Sequence, residues 1–197
     1  MKQKQLMQDI QYIKDVIHSS LHYTNLSGIA AILSGIVAII GCGCSYFIMQ
    51  QHAVQSISWE LVAIWTLVFL ASVIANVYFI CRKARKTGEP AWSRLARLII
   101  YALSPSFLVG ASFTLFLAYE GHALWIPGFW MVTYGLGVWS AGLFSIPEPR
   151  WLGAAFMITG LITLFFFVEY SLIMLAISFG CYHIIYGIRL FLRYGEG

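Results

Sequence analysis

The chain has 197 residues, of which 60% are hydrophobic and 10% are charged, and its formal net charge is +4. Soluble domains carry about 25% charged residues, so this composition excludes a soluble globular protein. The sequence contains no nucleotide-binding loop, nucleophile elbow or zinc-protease helix motif. That weakens the case for an enzyme and leaves an intramembrane lipid-modifying enzyme as a third alternative.

The N-terminal residues 1–25 have an amphipathic pattern. Their apolar positions recur at helical spacing and form one stripe: Leu6, Ile10, Ile13, Ile17 and Leu21. The pattern predicts a helix that lies on the cytoplasmic leaflet of a membrane. A helix that binds a partner protein is the alternative.

Three polar side chains of this segment are spaced three and four residues apart: Asp15, His18 and His22. His-x-x-x-His is a workable zinc spacing on a helix, but further ligands would have to come from elsewhere. Solvated side chains near the lipid phosphates are the simpler interpretation.

The remainder of the chain, residues 26–197, is dominated by six apolar stretches without charge. They do not alternate as transmembrane strands do, and each has about the length that a membrane-spanning helix needs. We therefore expect an all-α, polytopic membrane protein. Only Glu169 clearly separates the last two stretches. The six predicted spans are 26–49, 61–81, 98–119, 123–145, 151–168 and 170–188.

The distribution of basic residues predicts the orientation. With six spans, all 12 Lys and Arg lie before the first span, between the second and third, between the fourth and fifth, or after the sixth. The positive-inside rule makes this side cytoplasmic, so both termini are expected inside, in the inner (plasma) membrane. The positive net charge then reflects topology and contact with anionic lipids, and no direct nucleic-acid partner is expected.

Cys42 and Cys44 form a Cys-x-Cys motif in the first span. Residues two apart on a helix point about 200° apart, so a straight helix does not direct both thiols at one metal ion. Cys42 instead continues a row of small residues at every fourth position: Ala30, Ser34, Ala38 and Cys42. Such rows let membrane helices approach closely, so we interpret Cys42 as a packing residue and expect Cys44 to point away from that row.

The first and fifth spans also resemble each other. SGIAAILSGIVA and LGAAFMITGLIT align Gly28 with Gly153 and Gly35 with Gly160. Both spans run outward, so a parallel internal repeat is one interpretation, and the general likeness of small-residue helices is the other.

A layer of polar side chains is predicted near the cytoplasmic third of the membrane. Counting 1.5 Å per residue from the inner end of each span brings six residues to a depth of roughly 8–12 Å. Pro105 frees a backbone carbonyl near the same level, where neighbouring hydroxyls can satisfy it. The six residues are Ser34, Asn76, Ser104, Ser106, Ser140 and His183.

His183 is the single ionisable side chain deep in a span, and such residues are functional candidates. The alternative is a neutral imidazole that is hydrogen-bonded to Tyr or Ser across a helix interface.

The outer rim carries carboxylates and imidazoles but no basic residue. These groups could bind a cation, or they could simply lie where interfacial side chains belong. They are His52, Glu60, Glu120, His122 and Glu169.

Two segments carry a recognisable pattern. WIPGFWMVTYGLGVWSAGLFS contains Pro127, Trp130-Met131 and Tyr134-Gly135-Leu136, and FGCYHIIYGIRLFLRY contains Phe179-Gly180, His183 and Tyr186-Gly187. With the first span, LSGIAAILSGIVAIIG, they resemble a family of small bacterial inner-membrane proteins that have no established biochemical activity. Cys42 and Cys44 are not part of the pattern. His183 is part of the pattern, and so is Tyr186, which we add to the candidate ligand-binding residues.

The resemblance implies a sensing or regulatory role with a cytoplasmic regulatory partner. We therefore expect a non-catalytic membrane protein that binds a ligand, lipid or partner protein, with membrane lipids around it and no cofactor. A small homo-oligomeric transporter or channel, with Pro105 and the Gly-rich fourth span as moving parts, is the alternative function.

Overall fold

The computed structural model describes Met7, Ile10 and residues 26–51, 59–88 and 90–195. Across these residues the chain is helical and has no strand, which confirms the predicted all-α class. The expected amphipathic helix of residues 1–25 lies, apart from Met7 and Ile10, outside the described residues. The helices are α1 (Gly28–Gln51), α2 (Trp59–Thr87), α3 (Arg94–Tyr119), α4 (Ile126–Ala141), α5 (Glu148–Phe166) and α6, which has an α-helical start (Ser171–Leu175), a π-helical middle (Ala176–Tyr182) and an α-helical end (His183–Tyr194).

Five helical stretches of the described chain are long and apolar enough to cross a membrane. They are α1, α2, α3, α5 and the stretch Val168–Tyr194 that contains α6. The remaining helix, α4, has 16 residues, fewer than the about 20 that a span needs. Short 3-10 turns at Ala123–Trp125 and Gly142–Phe144 extend it at both ends, so the helical stretch nearly coincides with the predicted fourth span.

The helices α2 and α3 extend beyond the predicted apolar spans into the basic loop between them. Lys, Arg and Ala are good helix formers, so the helices continue where the apolar residues stop. Ser93 caps the start of α3, because its side-chain oxygen accepts a hydrogen bond from the backbone N–H of Ala96 at 3.1 Å.

The chain reverses between α5 and α6 at Phe167, whose backbone is not helical (φ −134°, ψ 34°). Two side-chain contacts fix the antiparallel register. Thr159 and Tyr182 share a hydrogen bond of 2.9 Å, and Glu148 at the start of α5 forms an ion pair with Arg193 at the end of α6. The fifth and sixth helices are therefore separate elements of the structure.

Glycines spaced seven residues apart bring α1 and α6 into backbone contact. A methyl group on Gly28 would lie 2.5 Å from the carbonyl oxygen of Gly187, and one on Gly187 would lie 2.5 Å from that of Gly28. Seven residues, or about two helical turns, further along α1, a methyl group on Gly35 would lie 2.6 Å from the carbonyl oxygen of Gly180. A larger residue at Gly28, Gly35 or Gly187 would therefore require the backbone to move, whereas at Gly180 the added methyl group would meet mainly the Ile39 side chain.

The helices α4 and α5 make an equivalent contact. A methyl group on Gly135 would lie 2.7 Å from the carbonyl oxygen of Gly153, and one on Gly153 would lie 2.6 Å from that of Gly135. On the same two faces, a methyl group on Gly128 would approach the carbonyl oxygen of Gly160 to 3.7 Å. Two glycine-matched helix pairs, α1–α6 and α4–α5, thus form the central part of the bundle.

The helices α2 and α3 flank these pairs. Val68 of α2 lies against Gly41 of α1, and Gly110 of α3 lies against Trp130 of α4. Large apolar side chains on α2 and α3 face outward, as expected of helices surrounded by lipid tails.

The described basic residues gather at one end of the bundle, which we call the basic end. Lys83 of α2 donates a hydrogen bond of 3.2 Å to the carbonyl oxygen of Gly195, just after α6. The Glu148–Arg193 ion pair lies at this end too. Within the described residues, the structure therefore brings together the basic segments that the positive-inside rule assigned to one side.

The small-residue row of α1 is buried as predicted. Ala30 is fully buried and Cys42 is 5% exposed, whereas Cys44 is exposed. All four cysteines are free thiols. The interpretation of Cys42 as a packing residue is confirmed by this burial.

The glycine contacts generate a prediction with a matched control in the same helix. Gly35→Ala adds one methyl group against the Gly180 backbone, and overpacking of this kind costs about 1–3 kcal/mol. Gly43 has no atom within 4 Å of the added methyl group, so Gly43→Ala should leave stability unchanged or raise it, because Ala is the better helix former. Thermal unfolding in mild detergent should therefore show a lower midpoint for Gly35→Ala only, and equal midpoints would contradict the close α1–α6 contact.

Candidate functional site

The candidate site centres on a hydrogen bond between two helices. The hydroxyl of Tyr134 on α4 lies 2.7 Å from Nε2 of His183 on α6. His183 is 8% exposed, so the pair is held in the interior of the bundle. This is the arrangement in which the imidazole is bonded to Tyr across a helix interface.

Aromatic rings enclose this pair. Phe156 of α5 is fully buried, and its ring centroid lies 4.9 Å from that of Tyr134 and 5.4 Å from that of His183. Phe179 stacks on the imidazole at 5.9 Å, and Phe107 of α3 contacts the Tyr134 ring at 6.3 Å. The polar pair therefore lies inside an apolar cluster supplied by four helices.

The second nitrogen of His183, Nδ1, is buried and makes no hydrogen bond of ordinary geometry with the described residues. The backbone carbonyl oxygens of Ser178 and Phe179, one turn earlier, lie close to the ring. Both residues belong to the π-helical middle of α6. Single π-helical turns are frequent at functional sites because they shift the backbone hydrogen bonds of a helix, so His183 stands at a locally altered part of α6.

A second polar pair lies on the other side of the bundle, between α1 and α2. The Asn76 side-chain amide donates hydrogen bonds to the Ser34 hydroxyl at 3.1 Å and to the Ser72 carbonyl oxygen at 2.9 Å. The Ser34 hydroxyl in turn donates to the carbonyl oxygen of Ala30 at 2.9 Å. These bonds join the two helices and satisfy the polar groups locally.

The serines around Pro105 have different roles. Ser104 is exposed and donates a hydrogen bond of 3.1 Å to the carbonyl oxygen of Tyr101. Pro105 removes the backbone donor that this carbonyl would otherwise have, so the predicted compensation of a freed carbonyl by a hydroxyl is confirmed. Ser106 is buried and lies against Gly137 of α4.

Two further candidates are half-buried. Ser140 lies near the end of α4, and Tyr186 packs beside the core cluster that contains Phe156. The predicted layer is thus divided between helix interfaces: Ser34 and Asn76 form one hydrogen-bonded pair, and His183 bonds to Tyr134.

The metal candidates do not come together in the described part of the chain. Among these residues no three His, Cys, Asp or Glu side chains lie where they could hold one metal ion. Asp15, His18, His22 and His52 lie outside the described residues. Glu60, Glu120, His122 and Glu169 are exposed near the end of the bundle opposite the basic end.

Sequence reasoning missed a buried carboxylate at the basic end. Glu148 is 4% exposed, and its Oε1 accepts hydrogen bonds from Arg193 and from the Tyr194 hydroxyl. Its Oε2 makes no hydrogen bond with the described residues. The available signal was a lone acid in the first turn of a helix, where the helix dipole favours a negative charge.

Two hollows of the described structure lie away from the Tyr134–His183 pair. One of about 60 Å³ lies at the basic end and is lined by Ile29, Phe79, Arg82, Lys83 and Lys86. The other, of about 280 Å³, lies at the opposite end between Trp125 and residues 164–170.

No family model, no curated protein and no solved structure matches the chain. Over the part of the chain that the structure describes, the fold is all-helical, with five helical stretches that are long and apolar enough to span a membrane.

The Tyr134–His183 pair is tested by a double-mutant cycle. Tyr134→Phe leaves a buried ring nitrogen without its partner, which costs about 1–3 kcal/mol, and His183→Phe does the same to the Tyr134 hydroxyl. Removing both polar groups should cost less than the sum of the two single changes, because neither partner is then left unpaired. Unfolding free energies of the three variants measure this, with the 89%-exposed Tyr119 as the Tyr→Phe control. Strict additivity would contradict the bond.

Proposed function

We propose that the chain is a non-catalytic, six-span protein of the inner (plasma) membrane that binds a ligand, lipid or partner protein and acts as a sensor or regulator. In this proposal both termini are cytoplasmic. The same proposal includes membership of the family of small bacterial inner-membrane proteins that the motifs resemble. It also includes a cytoplasmic regulatory partner and assembly into a homo-oligomer.

The enclosure of the central polar pair is the observation that carries this proposal. Tyr134 and His183 bond to each other and are covered by Phe156 and Phe179. A transport pathway needs polar groups that face water or substrate near the middle of the membrane. Here these two polar groups face each other, which counts against an open conduit past them.

The geometry of the helices supports the six-span topology. The stretch 123–144 is helical throughout when its two 3-10 turns are included, and α5 and α6 form an antiparallel hairpin. Contacts at the basic end join the end of α2, the start of α5 and the end of α6. An even number of spans places all these segments on one side.

The readout of binding is proposed to pass through α6. Its π-helical middle precedes His183, and its last turn holds Arg193, which bonds to Glu148 at the basic end. A shift of hydrogen bonds around His183 would therefore move residues that lie at the cytoplasmic surface.

A small transporter is the second candidate, and the same π-helical segment favours it. A π-helical turn in α6 and Pro105 inside α3 both weaken the helical hydrogen-bond ladder. Broken helices of this kind are used as moving parts in transporters.

Two measurements on purified protein separate the candidates. Native mass spectrometry in mild detergent should show a bound lipid or small molecule on the wild type. The His183→Ala variant should lose this bound mass, and the Ser112→Ala variant should keep it. Ser112 is a suitable control because it is exposed and bonds only within its own helix, to the Leu108 carbonyl oxygen. Proteoliposomes of the wild type should be no more permeable to protons or K⁺ than empty vesicles.

Solute flux that depends on His183 would overturn the binding proposal and establish the transporter. A wild-type protein that carries no bound lipid or small molecule would also contradict the binding proposal. Thermal stability of each variant is measured alongside, so that a loss of ligand is distinguished from a loss of fold.

A further inference from the structure

A hollow lies at the end of the bundle opposite the basic end, where α5 turns into α6. Its volume is about 280 Å³, and it is open to its surroundings, since Phe165 and Phe166 on its rim are mostly exposed. Five of its eight lining residues are aromatic: Trp125, Phe165, Phe166, Phe167 and Tyr170. Trp125 reaches it from the 3-10 turn before α4, so two separate turns of the chain form its walls.

The hollow contains one charged group, the carboxylate of Glu169. Glu169 forms no ion pair within the described part of the chain. The described connecting residues on this side, 50–51, 59–60, 120–123 and 167–170, include no Lys or Arg. A cation that approaches Glu169 therefore meets no basic side chain from these segments.

Aromatic faces together with a carboxylate are the groups that recognise organic ammonium ions. The electron-rich ring faces attract the cation and its attached methyl or methylene groups, and quaternary ammonium ligands are bound by aromatic cages in this way. The carboxylate supplies the opposite charge. An anion would be repelled by Glu169, and an uncharged apolar ligand would gain nothing from it.

We propose that this hollow binds the ammonium group of a small organic cation. The chemistry is shared by two sources, a free water-soluble amine and the ammonium headgroup of a zwitterionic lipid. The proposal goes beyond the proposed function, because the hollow is formed by residues other than the Tyr134–His183 pair and its test is independent of His183.

Choline is the probe for the free-amine source. Equilibrium dialysis of the purified protein in detergent should show saturable choline binding that Glu169→Gln weakens at least about fivefold and Trp125→Leu weakens similarly. Glu120→Gln is the matched control, since Glu120 is an exposed carboxylate that does not line the hollow. The uncharged analogue 3,3-dimethylbutanol, which has the shape of choline without its charge, should not compete.

Nanodiscs of mixed phosphatidylcholine and phosphatidylglycerol test the lipid source. Native mass spectrometry of the protein released from them should show phosphatidylcholine enriched over the bulk ratio, and the enrichment should be lost in Glu169→Gln but kept in Glu120→Gln. Binding in either the choline or the nanodisc experiment supports the proposal and identifies the source.

The proposal is overturned if neither probe binds, if Glu169→Gln binds both as the wild type does, or if 3,3-dimethylbutanol competes as well as choline. Glu169→Asp, which keeps the charge, is expected to retain more binding than Glu169→Gln. Glu169 is exposed, and Trp125 is 41% exposed. Equal unfolding midpoints of the variants and the wild type show that a loss of binding is not a loss of fold.

Discussion

The backbone contact between heptad-spaced glycines is the constraint on which the rest of this structure depends. Lipid tails are as apolar as leucine, so membrane helices gain little from the hydrophobic effect and associate through close packing. Gly28 and Gly35 of α1 meet Gly187 and Gly180 of α6, and Gly153 of α5 meets Gly135 of α4. The aligned glycines of the first and fifth spans thus serve the same purpose, close helix packing, against different partner helices.

The glycine pairs explain why the polar groups lie where they do. Because α4 approaches α5 closely, Tyr134 lies beside Phe156. The helix α6, which packs on α1, contributes His183 and Phe179 to the same cluster. The polar pair then closes the space between α4 and α6. The hollow at the turn from α5 to α6 is left at the end of the bundle, where the chain reverses and aromatic side chains spread apart.

The sequence was informative where a structural feature depends on neighbours in the same helix. The burial of Cys42 follows from a row of residues four apart, and the bond from Ser104 to the Tyr101 carbonyl follows from Pro105 one residue further on. Contacts between helices were not predictable in this way. Counting residues from the inner end of each span placed Asn76 and His183 at one depth, but it contained no information on which helices are neighbours. The predicted polar layer therefore combined residues that belong to different helix interfaces. The bonds of Glu148 to Arg193 and Tyr194 depend on the same missing information, since they join residues more than forty positions apart.

The most direct test of the central claim is the distance between Gly35 and Gly180 in a lipid bilayer. In solid-state NMR of protein with ¹³C-labelled glycine, the claim predicts a dipolar cross-peak between the Gly35 Cα and the Gly180 carbonyl carbon, since a methyl group on Gly35 would lie 2.6 Å from that carbonyl's oxygen. Gly43, with no atom within 4 Å of an added methyl group, should give no such interhelical peak. Absence of the Gly35–Gly180 peak in a folded sample would contradict the glycine-matched packing of α1 on α6.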